Sequence, residues 1–113
     1  MSDCIFCKIA AGEIPSDKVY EDKDILAFRD IHPKAPVHIL VIPKKHLASL
    51  NEVAASDETL LGRMMTVLRD LANDQGVSAS GYRVLSNCGP DGGQEVDHLH
   101  FHLLGGRKLG PLG

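Results

Sequence analysis

Five segments of the chain have the apolar patterning of β-strands. His38–Pro43, with the sequence HILVIP, is apolar and rich in β-branched residues between two prolines, which predicts an interior strand. Lys18–Glu21 and Ile25–Arg29 flank a polar three-residue turn and predict a hairpin. Two further strands are predicted near the other end of the chain, at Tyr82–Asn87 and His98–Leu104.

Two segments have the features of helices. The longer, Asp57–Gln75, begins with acidic residues and ends before a glycine, as helices commonly do. Its apolar residues form one helical face: Leu60, Leu61, Met64, Leu68, Leu71 and Ala72. A short helix is predicted at Cys4–Ala11, where Gly12 follows its end. This order of elements predicts an α+β fold with a mainly antiparallel five-stranded sheet, one long helix and a short N-terminal helix.

The length of the chain bears on its assembly. At 113 residues it is expected to form a single domain, 1–113, whose core leaves little stability in reserve. A second copy would bury apolar surface that one protomer leaves in water. We therefore expect a homodimer in which the partner covers the methionine-bearing face of Asp57–Gln75.

Charge and composition argue against several classes of protein. The formal net charge is −3, whereas proteins that bind a phosphate backbone carry a basic face, so nucleic acid is not an expected partner. No apolar run approaches the roughly 18 residues of a membrane span, and the first residues lack the pattern of a secretory signal. Three cysteines in such a chain indicate reduced thiols or metal ligands. The expected compartment is the cytoplasm.

The candidate chemistry lies in the sequence HLHFHLL at residues 98–104, where histidines alternate with apolar residues. Alternate residues of a strand share a face and lie roughly 7 Å apart. His98, His100 and His102 are therefore expected on one face, with the apolar residues packed behind them. Two other interpretations stay open: a strand face that is merely polar, or a His-x-His pair that holds a catalytic zinc ion.

This segment resembles the signature of the histidine triad family, in which histidines alternate with apolar residues and two apolar positions follow. Gly105-Gly106-Arg107, directly after it, is similar to the nucleoside phosphoramidase branch of that family. So are CIFCKI near the start, AFRDIHPKAPVHILVIPKKH in the middle and GGQEVDHLHFHLLGGR near the end. The resemblance covers nearly the whole chain. It implies an α+β protomer that dimerises into a continuous sheet and binds a nucleoside monophosphate unit in a cleft.

The resemblance implies that His100, the middle histidine, is the nucleophile. A neutral imidazole is a competent nucleophile near pH 7, and a nucleotidyl-histidine intermediate divides one phosphorus displacement into two easier steps. His102 is expected either to hydrogen-bond the phosphoryl oxygens or to carry a proton to the leaving amine. Three further histidines either orient the triad or are simply satisfied inside the fold: His38, His46 and His98.

The base and ribose positions are also implied by the resemblance. It places four apolar side chains around the base, namely Ile5, Phe6, Phe28 and Ile31. Asp30 would accept hydrogen bonds from the two ribose hydroxyls, because a carboxylate is a natural acceptor for vicinal hydroxyl groups. The two phenylalanines would equally serve as core residues, so their assignment to the base stays open.

The glycine-rich segment Cys88–Val96 lies directly before the triad. It is either an ordinary loop or a cradle in which backbone N–H groups converge on a phosphate. The resemblance places Asn87, Gly93 and Gln94 along this cleft. Glu95 is expected to contribute its backbone N–H alone, because a carboxylate that faced a phosphate would repel it. Many relatives carry serine at the position of Glu95.

Cys4 and Cys7 have the C-x-x-C spacing of half a structural zinc site. In some members of the family, histidines that match His46 and His98 complete such a site, which would leave His100 free for catalysis. Two reduced thiols on a short helix are the other interpretation. A structural zinc ion is thus a candidate component, and no cofactor is expected to be required for catalysis.

The sequence thus predicts an enzyme that hydrolyses the P–N bond of purine nucleoside 5′-phosphoramidates through an adduct on His100. Its expected partner is a purine nucleotide substrate. Three other functions stay open at this point. They are the hydrolysis of dinucleoside polyphosphates, nucleotide binding with little turnover in an interaction protein, and zinc-dependent hydrolysis.

Overall fold

A computed structural model of the protein describes residues 3–112. Its regular elements along the chain are α1 at Ile5–Ala10, β1 at Lys18–Glu21, β2 at Ile25–Arg29, β3 at Val37–Pro43, α2 at Glu58–Asp74, β4 at Tyr82–Leu85 and β5 at Phe101–Gly105. Two short 3-10 turns, at Leu50–Glu52 and Ala55–Asp57, connect β3 to α2 and are absent from the sequence-based prediction. The bounds of β1 and β2 agree with the prediction, and those of the two helices agree within one residue.

The five strands form one sheet in the order β1-β2-β3-β5-β4, and every neighbouring pair is antiparallel. The predicted α+β fold is therefore confirmed. The hairpin between β1 and β2 is closed by Asp22, whose Oδ1 accepts the N–H groups of Asp24 and Ile25, each across 2.8 Å. An aspartate that accepts backbone N–H groups two and three residues ahead is typical of such turns.

The two faces of the sheet carry different helices. Residues of β3 alternate between them, because successive side chains of a strand point to opposite faces. Val37, Ile39 and Val41 pack with α2 in the larger core, whereas Leu40 and Ile42 pack with α1 in the smaller one. Every residue of β3 is buried, as expected for a strand that is covered on both sides. The candidate site lies on the face of α1.

The apolar face of α2 packs against the sheet of its own protomer. Met64 has no exposed surface, and Leu68 and Leu71 are nearly as buried in the same core. Much of the face that was expected to meet a second copy is therefore used within the protomer, while Met65 of the same helix stays 43% exposed. The large apolar side chains that remain exposed near the outer strand are Tyr82 and Val84 of β4.

The predicted last strand, His98–Leu104, begins three residues later than expected, at Phe101. Leu99 donates its N–H to the carbonyl oxygen of Leu47 across 2.6 Å, outside the β3–β5 pairing. The three histidine rings nevertheless lie together, since His98 and His100 both contact Phe6 and His102 contacts His100. Leu103 packs in the larger core on the other face of the sheet. Strand β4 also ends two residues early, at Leu85. Within residues 3–112, no helix is long and apolar enough to cross a membrane.

Candidate active site

His100 lies just before β5 and is almost fully buried, with 6% of its surface exposed. Its Nδ1 is 2.6 Å from the backbone carbonyl oxygen of His98. A carbonyl oxygen only accepts hydrogen bonds, so Nδ1 carries the proton of the neutral ring and Nε2 keeps its lone pair. Nε2 makes no hydrogen bond within the described part of the chain. The ring of Phe6 lies edge-on against that of His100, with centroids 5.1 Å apart.

His102 is the next residue on the same face, with its ring centroid 5.1 Å from that of His100. Its Nδ1 is 2.9 Å from Nε2 of His38 on the neighbouring strand. The backbone N–H of Lys34 donates to Nδ1 of His38 across 3.0 Å. Since Nδ1 of His38 accepts, its Nε2 carries the proton and donates to His102. His102 in turn carries its own proton on Nε2.

Both hydrogen-bonded rings are neutral near pH 7. Burial, together with the nearby rings of His100 and His38, lowers the pKa of His102 to about 4. Burial also lowers the pKa of His38, although the carboxylate of Asp30, 3.6 Å from its Nε2, favours the charged ring and opposes this effect. The site therefore presents one nitrogen lone pair, on His100, beside one N–H donor, on His102.

The four apolar residues expected around the base differ in their exposure to solvent. Phe6 and Phe28 are buried core residues, with ring centroids 5.6 Å apart in an edge-to-face arrangement. Ile5 and Ile31 are 47% and 86% exposed, which leaves apolar surface available to a ligand. Asp30 keeps part of its carboxylate in solvent, while its Oδ1 accepts the N–H of His32 across 2.8 Å.

The loop before the triad is shaped by its own hydrogen bonds. The N–H groups of Gly93 and Gln94 donate to carbonyl oxygens of the same loop and are already used. The side-chain amide of Gln94 accepts from the N–H of Gly89 and donates to two carbonyl oxygens, which holds the loop in place. The side-chain amide of Asn87 donates to the carbonyl oxygen of Gly92 across 2.6 Å. In the described residues, the N–H of Glu95 has no acceptor.

A cavity of about 590 Å³ opens beside this loop and is lined by seven residues, three of them acidic: Asp3, Cys4, Ile5, His46, Glu95, Val96 and Asp97. Their three carboxylates make the cavity itself unfavourable for a phosphate group. Asp97 is exposed to solvent and takes no part in the packing of the core.

The four residues expected at a metal site come together. Nδ1 of His98 lies 3.3 Å from Sγ of Cys4 and 3.6 Å from Sγ of Cys7, and Nδ1 of His46 lies 3.2 Å from Sγ of Cys7. A tetrahedral zinc ion with Zn–S and Zn–N bonds of ordinary length separates sulfur and nitrogen ligands by about 3.6 Å. The distances therefore fit, and the four side chains form a candidate metal site.

The proton positions support this assignment. Nε2 of the buried His98 is 2.7 Å from the carbonyl oxygen of Pro43, so it donates and leaves Nδ1 free to bind a metal. Burial raises the pKa of the Cys7 thiol to about 11, so a bound cation has to displace its proton. Asp30, His38 and His102 form a second group of possible metal ligands. There, Nε2 of His38 faces the other two side chains and carries the ring proton, which favours hydrogen bonding over metal binding.

Backbone groups determine which ring nitrogen carries the proton in several of these histidines. The N–H of Lys34 and the carbonyl oxygens of Pro43 and His98 fix the protonated nitrogen of three histidines. Every residue carries such groups, so no sequence signal singles these residues out. His38, whose role the sequence left open, forms a hydrogen bond with His102.

The fold and the triad together define a histidine triad protein, and comparison with known proteins agrees. The HIT domain family matches residues 11–109, and the chain belongs to this family. It is 52% identical to the purine nucleoside phosphoramidase of Escherichia coli K12, over 97% of this chain and 92% of that protein.

Solved structures give the same result. The chain superimposes on a histidine triad protein from Clostridium difficile with a TM-score of 0.95 and 51% identity, covering 100% of this chain and 98% of that one. A HIT family hydrolase from Legionella pneumophila Philadelphia 1 gives a TM-score of 0.93 and 55% identity, covering 94% and 95%.

Proposed function

We propose that this protein is a purine nucleoside phosphoramidase, built as one histidine triad domain, that cleaves nucleoside 5′-phosphoramidates into a nucleoside monophosphate and an amine. The observation that carries the proposal is the hydrogen bond from Nδ1 of His100 to the carbonyl oxygen of His98, which leaves a nucleophilic nitrogen free. The similarity to the Escherichia coli purine nucleoside phosphoramidase supports the choice of substrate.

In the first step, the lone pair on Nε2 of His100 attacks phosphorus while the P–N bond of the substrate breaks. The amine leaves with the bonding electrons and takes its proton from solvent. The sequence left two roles for His102. Its pKa of about 4 means that the ring carries no spare proton near pH 7, so it is a poor proton shuttle. We assign its Nε2–H to a phosphoryl oxygen, where negative charge builds up.

In the second step, water attacks the same phosphorus atom and the bond between phosphorus and His100 breaks. The electron pair returns to Nε2, the water proton goes to solvent, and the nucleoside monophosphate is released. Two displacements of this kind replace one harder displacement by water. His100 ends the cycle in its starting tautomer, because the carbonyl oxygen of His98 still accepts from Nδ1.

The nucleotide would lie along the face of the sheet that carries α1. We propose that the purine rests on the exposed surface of Ile5 and Ile31 and on the edges of Phe6 and Phe28, with the ribose hydroxyls at the carboxylate of Asp30. The phosphate would meet the free N–H of Glu95 and the amide of Asn87. Gly93 and Gln94 would act by shaping this loop, because their N–H groups are already bonded within it.

A substrate panel with purified protein tests this proposal. The panel contains three compounds: an adenosine 5′-phosphoramidate, a cytidine 5′-phosphoramidate with the same amine, and a dinucleoside polyphosphate. Phosphorus NMR follows the products of each. We expect the fastest turnover with the adenosine phosphoramidate. Preferential cleavage of P–O–P bonds would favour a dinucleoside polyphosphate hydrolase. Binding of nucleotide without turnover of any compound would favour an interaction protein.

We further propose that Cys4, Cys7, His46 and His98 hold one structural zinc ion. All four positions of the coordination sphere would then be filled by protein, with none left for a water molecule. Zinc would stabilise the packing of α1 against the triad segment. Catalysis would stay with His100 and His102, and no metal would be required at phosphorus.

The outer strand β4 suggests how two copies associate. It has one unpaired edge and carries Tyr82 and Val84, which are 39% and 37% exposed. An exposed strand edge with apolar side chains readily pairs with another chain. We propose a homodimer in which β4 pairs with its counterpart, so that the two sheets become continuous, and we place this dimer in the cytoplasm.

A further inference from the structure

The candidate metal site and the nucleophile share one residue. The ring of His98 belongs to the cluster with Cys4, Cys7 and His46, while its backbone carbonyl oxygen accepts the Nδ1–H of His100. His98 thus contacts the cluster through its side chain and the nucleophile through its backbone. The orientation of its carbonyl group decides which nitrogen of His100 carries the proton.

The peptide between His98 and Leu99 is held by contacts of residues that belong to the cluster or lie next to it. The ring of His98 is fixed by the carbonyl oxygen of Pro43 and by the two sulfur atoms. The N–H of Leu99 donates to the carbonyl oxygen of Leu47 across 2.6 Å. Leu47 directly follows His46, whose Nδ1 contacts Sγ of Cys7. His98 and the His46–Leu47 segment, which together hold this peptide, both contact the cysteines of α1.

We propose that Cys4, Cys7 and His46 are positioning residues for the nucleophile. They hold the segments on both sides of the His98–Leu99 peptide, so that its carbonyl oxygen stays aimed at Nδ1 of His100. With zinc bound, four ligand bonds would replace the S···N contacts and hold the peptide more firmly. Without this restraint, the peptide can turn and the ring of His100 can place its proton on Nε2, where it blocks attack on phosphorus.

The tautomer of His100 is the direct test. Nitrogen-15 NMR of the imidazole rings distinguishes a protonated from an unprotonated nitrogen, and His100→Gln assigns the signal. We expect wild-type protein to show protonated Nδ1 and unprotonated Nε2 in His100. In the double variant Cys4→Ser, Cys7→Ser we expect a mixture of both tautomers. This measurement involves no substrate, so it is independent of the proposed phosphoramidase activity.

Turnover gives a second measurement, which does rest on the proposed function. We expect the double variant to lose about tenfold or more in kcat, as is common when a group that orients a catalytic residue is removed. KM should change less than kcat, because neither cysteine is among the residues proposed to contact the nucleotide. If the tautomer shifts while wild-type protein shows no phosphoramidase activity, the proposed function fails and the positioning role stands.

A destabilised control separates positioning from general loss of stability. Met64 is fully buried in the core on the other face of the sheet, and Met64→Ala should lower the melting temperature because it leaves a cavity there. Measured well below its melting temperature, this variant should keep the wild-type tautomer and kcat. A folded double-cysteine variant that keeps both the wild-type tautomer and the wild-type kcat would show that the contacts with Pro43 and Leu47 aim the peptide without the cluster, and would overturn the proposal. If the double variant does not fold, His46→Asn provides the same comparison.

Discussion

Nε2 of His38 and Nδ1 of His102 are 2.9 Å apart, although 64 residues separate them in the sequence. The pairing of β3 with β5 produces this contact, because His38 is opposite Leu104 and Leu40 is opposite His102. The two histidines are therefore diagonal neighbours on one face of the sheet, a spacing that long side chains can span. The hydrogen bond gives His102 an Nε2–H that points away from His38.

Replacing His38 tests this arrangement. His38→Ala removes the donor to His102, so the proton of His102 is free to move to Nδ1 and the hydrogen bond to the phosphoryl oxygen is lost. We expect kcat to fall about a hundredfold, within the range for removal of one hydrogen-bond contribution to a transition state. His38→Gln keeps an N–H donor and should recover part of kcat. Equal kcat for the two variants in a steady-state assay would contradict the role assigned to His38.

The extent to which the sequence predicted the structure can be judged from particular contacts. Alternation predicted one face for the three histidines, and the contacts of their rings with Phe6 and with one another agree with it. The same pattern placed the start of the strand three residues too early, at His98. Extended segments outside a sheet show the same alternation as strands, so the pattern does not distinguish them. Contacts with Pro43 and Leu47 hold His98 and Leu99 beyond the sheet. These contacts join residues that are distant in the sequence, so they produce no periodic pattern along the chain.

The 3-10 turns at Leu50–Glu52 and Ala55–Asp57 were missed for a different reason. Each has three residues, too few to show a period. The first is capped by Ser49, whose Oγ accepts the N–H of Asn51 across 3.1 Å. The metal-site residues, in contrast, were predicted from cysteine spacing and family resemblance, and the structure places their ligand atoms within 4.8 Å of one another.

Removal of the nucleophile should separate chemistry from binding. His100→Ala deletes the nitrogen that forms the bond to phosphorus but little of the surface that contacts the nucleotide. We expect turnover to fall by at least about a thousandfold, with the affinity for a nucleoside monophosphate retained within about tenfold. Calorimetry measures the affinity, and mass spectrometry of quenched wild-type protein locates the nucleotidyl adduct. An adduct on any residue other than His100 would refute the mechanism.

The proposed dimer predicts a variant that dissociates it. In Val84→Arg, the edge of β4 carries a charge, and two such charges would face each other across the pair of outer strands. Sedimentation at micromolar protein should show a dimer for the wild type and a monomer for this variant. Leu50→Glu is the matched control, because Leu50 is 50% exposed but lies outside β4. A monomeric wild type would contradict the dimer, and a monomeric Leu50→Glu would place the interface elsewhere.

The proposed zinc ion predicts that metal content and stability change together. Cys4→Ser removes one of four ligands, and three remaining ligands bind zinc less tightly. A ligand present at a thousand times its Kd stabilises the folded protein by about 4 kcal/mol, so loss of the ion should lower the melting temperature measurably. We expect about one zinc ion per protomer in wild-type protein purified without chelator, as for a site with four protein ligands. In Cys4→Ser, we expect less zinc and a lower melting temperature.

Cys88→Ser is the control for this measurement. Cys88 is also a free cysteine but lies outside the cluster with His46 and His98. Its replacement should leave both metal content and melting temperature unchanged, because it removes a thiol without removing a ligand. A wild-type protein that contains no zinc, and whose melting temperature does not rise when zinc is added, would show that Cys4 and Cys7 are ordinary thiols. The S···N contacts would then hold His98 without a metal ion.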